Sequence, residues 1–213
     1  MLDLSACSEH PINFGGLGDV FRGRLHNSTL VALKCTRIVI DPYSNEHETY
    51  LKCAAREIHT WSKLDHRYVS RLLGLAEFRG RIAMVSPWAE HGALPRFLAK
   101  QPQQNRPRLC AQIADGLTFL HDNKIVHGDL KGANILMSEN FEPLLTDFGN
   151  SVLHDRSLQF THTMAESTFS LRWTAPELLD GAPCSFEADS YALGMVSENR
   201  AHVSLRVLIV LLA

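Results

Sequence analysis

The pattern of apolar and polar positions changes character partway along the chain. Residues Asp19 to Thr36 read as two strands, rich in β-branched and aromatic side chains, around a turn at Asn27-Ser28. Burial of Val31 and Leu33 turns their neighbour Lys34 away, beneath the glycine-rich stretch that precedes the first of these strands. Leu51, Ala54, Ile58, Trp61 and Leu64 then recur at steps of three and four, the spacing of one face of a helix from about His47 to Asp65. Glu57 lies beside that face. Leu72 to Glu77 and Ile82 to Ser86, separated by Arg79-Gly80, read as a hairpin that completes a small sheet.

Beyond Gly92 helical spacing takes over. Leu109, Ile113, Leu117 and Leu120 define an amphipathic helix, preceded by a polar loop over Gln101 to Pro107. Two short apolar runs, Ile125-Val126 and Leu144-Leu145, read as strands. There is no internal repeat and no low-complexity tract. The pattern predicts an α+β fold: a small antiparallel sheet with one helix, a break near Pro87 to Gly92, and a mostly helical second part.

Composition narrows the classes without choosing among them. A chain of 213 residues, 45% of them hydrophobic, can bury a core in one domain or in two packed lobes. With 21 Lys and Arg against 23 Asp and Glu, the net charge is −2, and there is no global attraction to nucleic acid or acidic lipid. Any anion site must be local. The five cysteines, Cys7, Cys35, Cys53, Cys110 and Cys184, are odd in number and form no C-x-x-C pair, which fits reduced thiols and a cytoplasmic location. The first ten residues lack the basic and apolar segments of a secretory signal, and Val207 to Ala213 is far too short to span a bilayer.

The chemistry is concentrated after the amphipathic helix. His127 to Leu136 reads H-G-D-L-K-G-A-N-I-L, and Asp147, Phe148 and Gly149 follow as D-F-G. Asp129 is suited to accept a hydroxyl proton, with Asn134 and Asp147 as oxygen ligands for magnesium. Each motif follows one of the two apolar runs, and in this order and spacing the pair resembles the catalytic core of a eukaryotic protein kinase. The first lobe agrees. Phe14-Gly-Gly-Leu-Gly-Asp-Val20 resembles the kinase loop G-x-G-x-x-G-x-V with Asn13 in place of the first glycine, and V-A-L-K ends in Lys34 where the next strand belongs.

The resemblance implies ATP and Mg2+ as cofactors and gives each residue a role. Gly15, Gly16 and Gly18 let backbone N–H groups approach the phosphates, Lys34 contacts the α- and β-phosphates, and Glu57 is its ion-pair partner. Val20 and Ala32 pack against adenine, with Leu136 closing from the other side. Ser86 is the gatekeeper, and the Pro87 carbonyl and the Ala89 N–H bind the adenine edge. Asp129 orients the attacking hydroxyl, Lys131 helps neutralise the transferred group, and Asn134 and Asp147 hold the metal. Lys131 in this position matches Ser/Thr kinases, whereas Leu171-Arg-Trp-Thr-Ala-Pro-Glu177 is also common in tyrosine kinases. The tyrosine-kinase-like group, with a Ser/Thr-type loop, reconciles the two and implies a protein substrate.

Several departures matter. The family's H-R-D arginine, which pairs with a phosphorylated activation segment, is Gly128 here. The hydroxyls from Ser151 to Thr174 are read mostly as solvated or substrate-facing. H-G-D also occurs in small-molecule phosphotransferases, which lack the A-P-E of Ala175-Pro176-Glu177. The resemblance sets an N-lobe over residues 1–88 and a partial C-lobe over 89–196, and leaves residues 197–213 as a divergent apolar tail. An inactive scaffold that binds nucleotide or partners is the alternative reading, and a partner or second copy could cover the incomplete lobe. On this view Leu193, Met195 and Val196 lie bare and Glu177, without its buried arginine, turns to water. Losing one member of a buried pair costs about 3–5 kcal/mol, against a typical domain stability of about 5–15 kcal/mol.

Overall fold

The computed structural model describes residues 2–15, 18–36, 45–153 and 170–197. The chain divides into two compact units, Met1–Asp65 with Ser70–Glu90 and His66–Val69 with His91–Ala213.

The first unit is built on an antiparallel sheet. Its strands are β1 (Leu2–Asp3), β2 (Asn13–Gly15), β3 (Gly18–Leu25), β4 (Leu30–Thr36), β5 (Gly74–Phe78) and β6 (Arg81–Pro87), with helix α1 (Asn45–Trp61) between β4 and β5. The order is β1-β3-β4-β6-β5, with β2 also on β3. Because side chains alternate along a strand, the register sorts the sheet into two faces. Phe21, Val31, Leu33, Cys35, Phe78, Ala83 and Val85 form a buried cluster on one face, against which Leu2, Cys7 and Leu25 pack. Val20, Lys34 and Met84 stand in one cross-strand row of the other face, and Arg22, Ala32 and Ser86 in the next. Burial within the cluster pushes the Cys35 thiol up to about 11.

The N-terminal segment is strapped along β3. The Ser8 N–H donates to the Arg22 carbonyl at 2.8 Å, the Arg22 N–H donates to Ser8 Oγ at 3.1 Å, and the Ile12 N–H donates to the Val20 carbonyl at 2.7 Å. Gly23 makes room for the strap, since a Cβ there would lie 3.2 Å from Cys7 Sγ and 2.9 Å from Leu33 Cδ1. The strap is clamped by the turn between β5 and β6. Arg79 and Gly80 both adopt positive φ, +53° and +71°, the signature of a tight hairpin turn whose twist matches the strands. Arginine is an unusual choice there. Its guanidinium compensates by lying over Phe21 and Phe78, with centroid distances of 5.0 and 4.8 Å, and by donating to the carbonyls of Glu9 at 2.7 Å and Ser8 at 3.3 Å.

Helix α1 stops at Trp61, short of the Asp65 that the periodicity suggests. The Lys63 and Leu64 N–H groups turn back to the carbonyls of Thr60 and Trp61, tightening the last turn, so Leu64 is buried from outside the helix. The Trp61 indole N–H donates to the Ser70 carbonyl, fixing the chain that leads to β5.

The second unit runs β7 (Gly92–Ala93), α2 (Leu94–Lys100), α3 (Arg106–Asp122), β8 (Ile125–Val126), β9 (Ile135–Met137), β10 (Pro143–Leu145), β11 (Val152–Leu153), α4 (Pro176–Leu179) and α5 (Phe186–Ser197). Asn105 caps α3 by accepting the Arg108 N–H at 2.9 Å, and Leu109, Ile113, Leu117 and Leu120 are all buried on one side of it. Ser185 caps α5 through the Ala188 N–H at 3.1 Å. Residues His66–Val69, read from the sequence as part of the first lobe, belong to this unit. The Leu145 N–H donates to the Tyr68 carbonyl at 2.8 Å, Tyr68 Oη accepts from Gln112, and Arg67 makes a paired contact with Glu142. A Cβ on Gly116 would sit 3.0 Å from that same Tyr68 carbonyl, so a glycine in mid-helix lets the segment dock.

The structure corrects the expectation of a bare strip on the last helix. Leu193 and Val196 are 7% and 8% exposed, and Met195 is half-buried, on a helix that packs against α3 and the turn Leu171–Trp173. Glu177 is exposed. The architecture is thus α+β, with the large sheet in the first unit and most helices in the second.

Arg79→Ala removes two hydrogen bonds and the cation–π contacts while leaving the strained turn in place. It is expected to lower stability by about 1–3 kcal/mol, read as a fall in the urea midpoint. In the same folded protein Cys35 should resist iodoacetamide at pH 7.5 and react only on unfolding, because its thiol stays protonated.

Candidate active site

The first unit carries a buried ion pair. Lys34 on β4 donates to Glu57 Oε1 on α1 at 2.6 Å, with Glu57 only 3% exposed. A buried carboxylate needs such a partner, and the pair fixes the lysine's direction across the sheet face. Val20 stands opposite Lys34, and Ala32 stands between Arg22 and Ser86 in the neighbouring row. Pro87 closes β6 opposite Val31. The Trp88 N–H continues the ladder to the Leu30 carbonyl at 3.2 Å, so Pro87 occupies a non-bonded position where its missing N–H costs no ladder bond. The Pro87 carbonyl and the Ala89 N–H have no hydrogen-bond partner among the described residues.

The glycines divide. Gly15 pairs with Gly18 at the end of the β2–β3 hairpin, and Gly16 lies outside the described residues. Gly18 answers a packing demand that the sequence reading missed: a Cβ there would lie 2.4 Å from the Cys35 carbonyl oxygen. Asn13, at the position of the family's first glycine, pairs with Val20 and does not adopt positive φ.

The second unit holds Asp129 and the loop that carries it. The loop from β8 to β9 is pinned by Asp189 of α5, 2% exposed. Its carboxylate accepts the His127 N–H at 2.7 Å, the Gly128 N–H at 3.0 Å and a contact from His121 Nε2 at 3.0 Å. His127 is fully buried. Its Nδ1 accepts the Asp129 N–H at 3.3 Å, which leaves Nε2 to donate to the Thr146 carbonyl at 3.2 Å and selects that tautomer. One imidazole thereby links the catalytic loop to the strand leading into D-F-G. Asp129 Oδ2 accepts from Lys131 Nζ at 2.7 Å and from Asn134 Nδ2 at 3.0 Å, while its Oδ1 has no partner among the described residues.

Asn134 and Asp147 are brought close by the hairpin of β9 and β10. The Thr146 N–H donates to the Asn134 carbonyl at 3.0 Å, directly before Asp147. Asp147 has φ +69° and ψ +71°, a left-handed conformation that costs a non-glycine residue energy and that clusters at functional sites. Phe148 is fully buried with its ring 5.6 Å from that of His127. Leu136 lies on β9 opposite Ala93 and Leu144, half-buried.

Three hydroxyls read as mostly solvated or substrate-facing have structural partners. Ser151, 2% exposed, donates to the His127 carbonyl at 3.1 Å. Ser170 Oγ accepts from Lys131 Nζ at 3.0 Å, and Thr174 Oγ1 donates to the Ser170 carbonyl at 3.3 Å. Ser157, Thr161, Thr163, Ser167 and Thr168 lie outside the described residues. No motif spacing announces the Ser170 contact, because it is made across a separation of 39 residues. Gly128 has φ +77°, and a Cβ on it would lie 2.5 Å from the Asn150 carbonyl oxygen.

The lysine–carboxylate pair of the first unit, and in the second unit an aspartate braced by lysine and asparagine ahead of D-F-G, are features of the protein kinase type of domain. A family model described as protein kinase domain matches residues 8–199. The chain belongs to the protein kinase domain family. It is 29% identical over 197 residues to calmodulin-binding receptor-like cytoplasmic kinase 1 of Arabidopsis thaliana, covering 89% of this chain and 41% of that protein. A probable LRR receptor-like serine/threonine-protein kinase of the same plant is 34% identical over 194 residues, covering 86% of this chain and 30% of the relative. Serine/threonine-protein kinase STY46, also from Arabidopsis thaliana, is 30% identical over 191 residues, covering 88% and 32%. The chain therefore spans less than half the length of these relatives. No described helix is long and apolar enough to cross a membrane.

Asp189→Ala leaves the buried His127 N–H and the half-buried Gly128 N–H without this acceptor. The expected loss is about 3–5 kcal/mol, measured by chemical denaturation. Ser170→Ala, which removes only one partner of Lys131, should cost about 1 kcal/mol or less.

Proposed function

We propose that this chain transfers the γ-phosphoryl group of ATP to Ser or Thr hydroxyls of protein substrates. The observation that carries the reading is the state of Asp129. One carboxylate oxygen is held by Lys131 and Asn134, which fixes the plane of the group, and the other is left to accept the proton of an incoming hydroxyl. As the substrate's hydroxyl oxygen attacks the γ-phosphorus and the bond to the β-phosphate oxygen breaks, the hydroxyl proton passes to Asp129 and the leaving group is ADP. Lys131 stands beside the reacting oxygen as a positive charge, and its bond to Ser170 ties the loop to the segment before Ala175-Pro176-Glu177. That segment supports a protein substrate over a small molecule.

The nucleotide fits groups already on the first unit. The Pro87 carbonyl and Ala89 N–H offer an acceptor and a donor to the adenine edge, and Val20 and Ala32 supply an apolar face. By the family resemblance, Gly15, Gly16 and Gly18 are assigned to the phosphates, Ser86 is the gatekeeper, and Leu136 is assigned to the adenine. Lys34, aimed by Glu57, meets the α- and β-phosphates. Asn134 spends its Nδ2 on Asp129, which leaves Oδ1 as an oxygen ligand, and with the Asp147 carboxylate it forms the hard donor set that magnesium takes. Magnesium, when bound, neutralises charge on the phosphate oxygens. The free thiols Cys7, Cys35, Cys110 and Cys184 support a reducing, cytoplasmic setting.

Asp129→Asn, Lys34→Met and Asp147→Ala are each expected to lower single-turnover phosphorylation of a generic Ser/Thr substrate at least about 100-fold. A near-normal rate in any of them removes that residue from the mechanism. Gly128 has no side chain to read a phosphorylated activation segment, so phosphatase-treated protein should be as active as untreated protein. A tenfold loss restored by rephosphorylation would show that another basic residue reads the phosphate.

A further inference from the structure

We propose that Arg22 is a positioning residue for the nucleotide, acting through Trp88 to fix the two peptide groups that take the adenine edge. The inference rests on the nucleotide reading above and adds a residue to it. Arg22 lies on β3 in the row of Ala32 and Ser86, on the face of the sheet that carries Val20 and Lys34. Its guanidinium carbon is 5.4 Å from the centre of the Trp88 indole. Trp88 follows the alternation of β6 onto that same face, and its N–H is bonded to the Leu30 carbonyl. β3 and β6 flank β4, about 9.5 Å apart at two strand spacings, so the two side chains meet over β4 beside Ala32.

Trp88 occupies a particular place in the chain. The Pro87 carbonyl belongs to the peptide group before its Cα, and the Ala89 N–H belongs to the peptide group after it. Whatever restrains Trp88 restrains both. Its N–H fixes the first peptide through Leu30, while the indole under Arg22 opposes rotation that would swing the second. Arg22 is itself well held, because its N–H and carbonyl both bond to Ser8. Among the described residues no carboxylate pairs with its guanidinium. The donors not turned to the indole therefore remain for ribose hydroxyls or solvent.

The test is calorimetric titration of the 213-residue chain with ADP and, separately, with inorganic tripolyphosphate, which has no base or sugar. Arg22→Gln and Trp88→Ala should each raise the ADP Kd about two- to fivefold, and the double variant should be no weaker than the worse single variant. Arg22→Lys should recover part of the loss, and tripolyphosphate binding should not move. An unchanged ADP Kd in Arg22→Gln, additive losses in the double variant, or equal losses for tripolyphosphate would overturn the inference. Circular dichroism of each variant checks that the fold is kept. If Lys34→Met weakens ADP binding while Arg22→Gln does not, the nucleotide reading survives and this inference falls. A wild-type chain that binds no ADP overturns both.

Discussion

The second unit is organised around one carboxylate. Asp189 sits on a helix far along the chain, yet it accepts the buried His127 N–H and the half-buried Gly128 N–H, which would otherwise lose this acceptor. An unsatisfied buried donor costs about 1–3 kcal/mol, so the loop cannot take this path unless the helix is in place. From there the constraint propagates through covalent neighbours and one imidazole. His127 receives the Asp129 N–H on one nitrogen and reaches the Thr146 carbonyl with the other, setting Asp129 and the D-F-G aspartate from a common support. The left-handed Asp147 and the buried Phe148 are held from the same place.

Elements built on local periodicity were legible in the sequence. The hairpins around Asn27-Ser28 and Arg79-Gly80, the helix carrying Glu57 and the helix of Leu109 to Leu120 follow from alternation and from steps of three and four. The motifs around Asp129 and Asp147 were visible for the same reason, since their parts lie within a few positions of one another. What escaped depends on long-range contact. Nothing near Tyr68 says that its carbonyl will meet Leu145, and nothing near Ser170 says that Lys131 will reach it. Boundaries escaped too, because the tightened turn after Trp61 conserves the apolar spacing while leaving the helix.

Glycine had two meanings that spacing alone merged. Gly18 fits the phosphate-loop pattern, but the structure also requires it to clear the Cys35 carbonyl. Gly128 reads as a lost arginine, and its backbone lies at positive φ against the Asn150 carbonyl. Absence of a side chain and pressure on the backbone therefore coincide at one residue. The sequence shows the first and is silent on the second.

The clamp between the strap and Arg79 has a consequence for how the protein is made. Arg79 and Glu9 are 70 residues apart, and ribosomes add roughly 5–20 residues per second, so the strap emerges roughly 4–14 s before its clamp exists. During that interval the strap has β3 to pair with but no guanidinium to hold it, and the apolar ring faces of Phe21 and Phe78 are not yet together. The sheet of the first unit is in this sense closed by its last hairpin. Its earliest residues are among the last to be secured, and a nascent chain halted before Arg79 would display its first strands as unfinished edges.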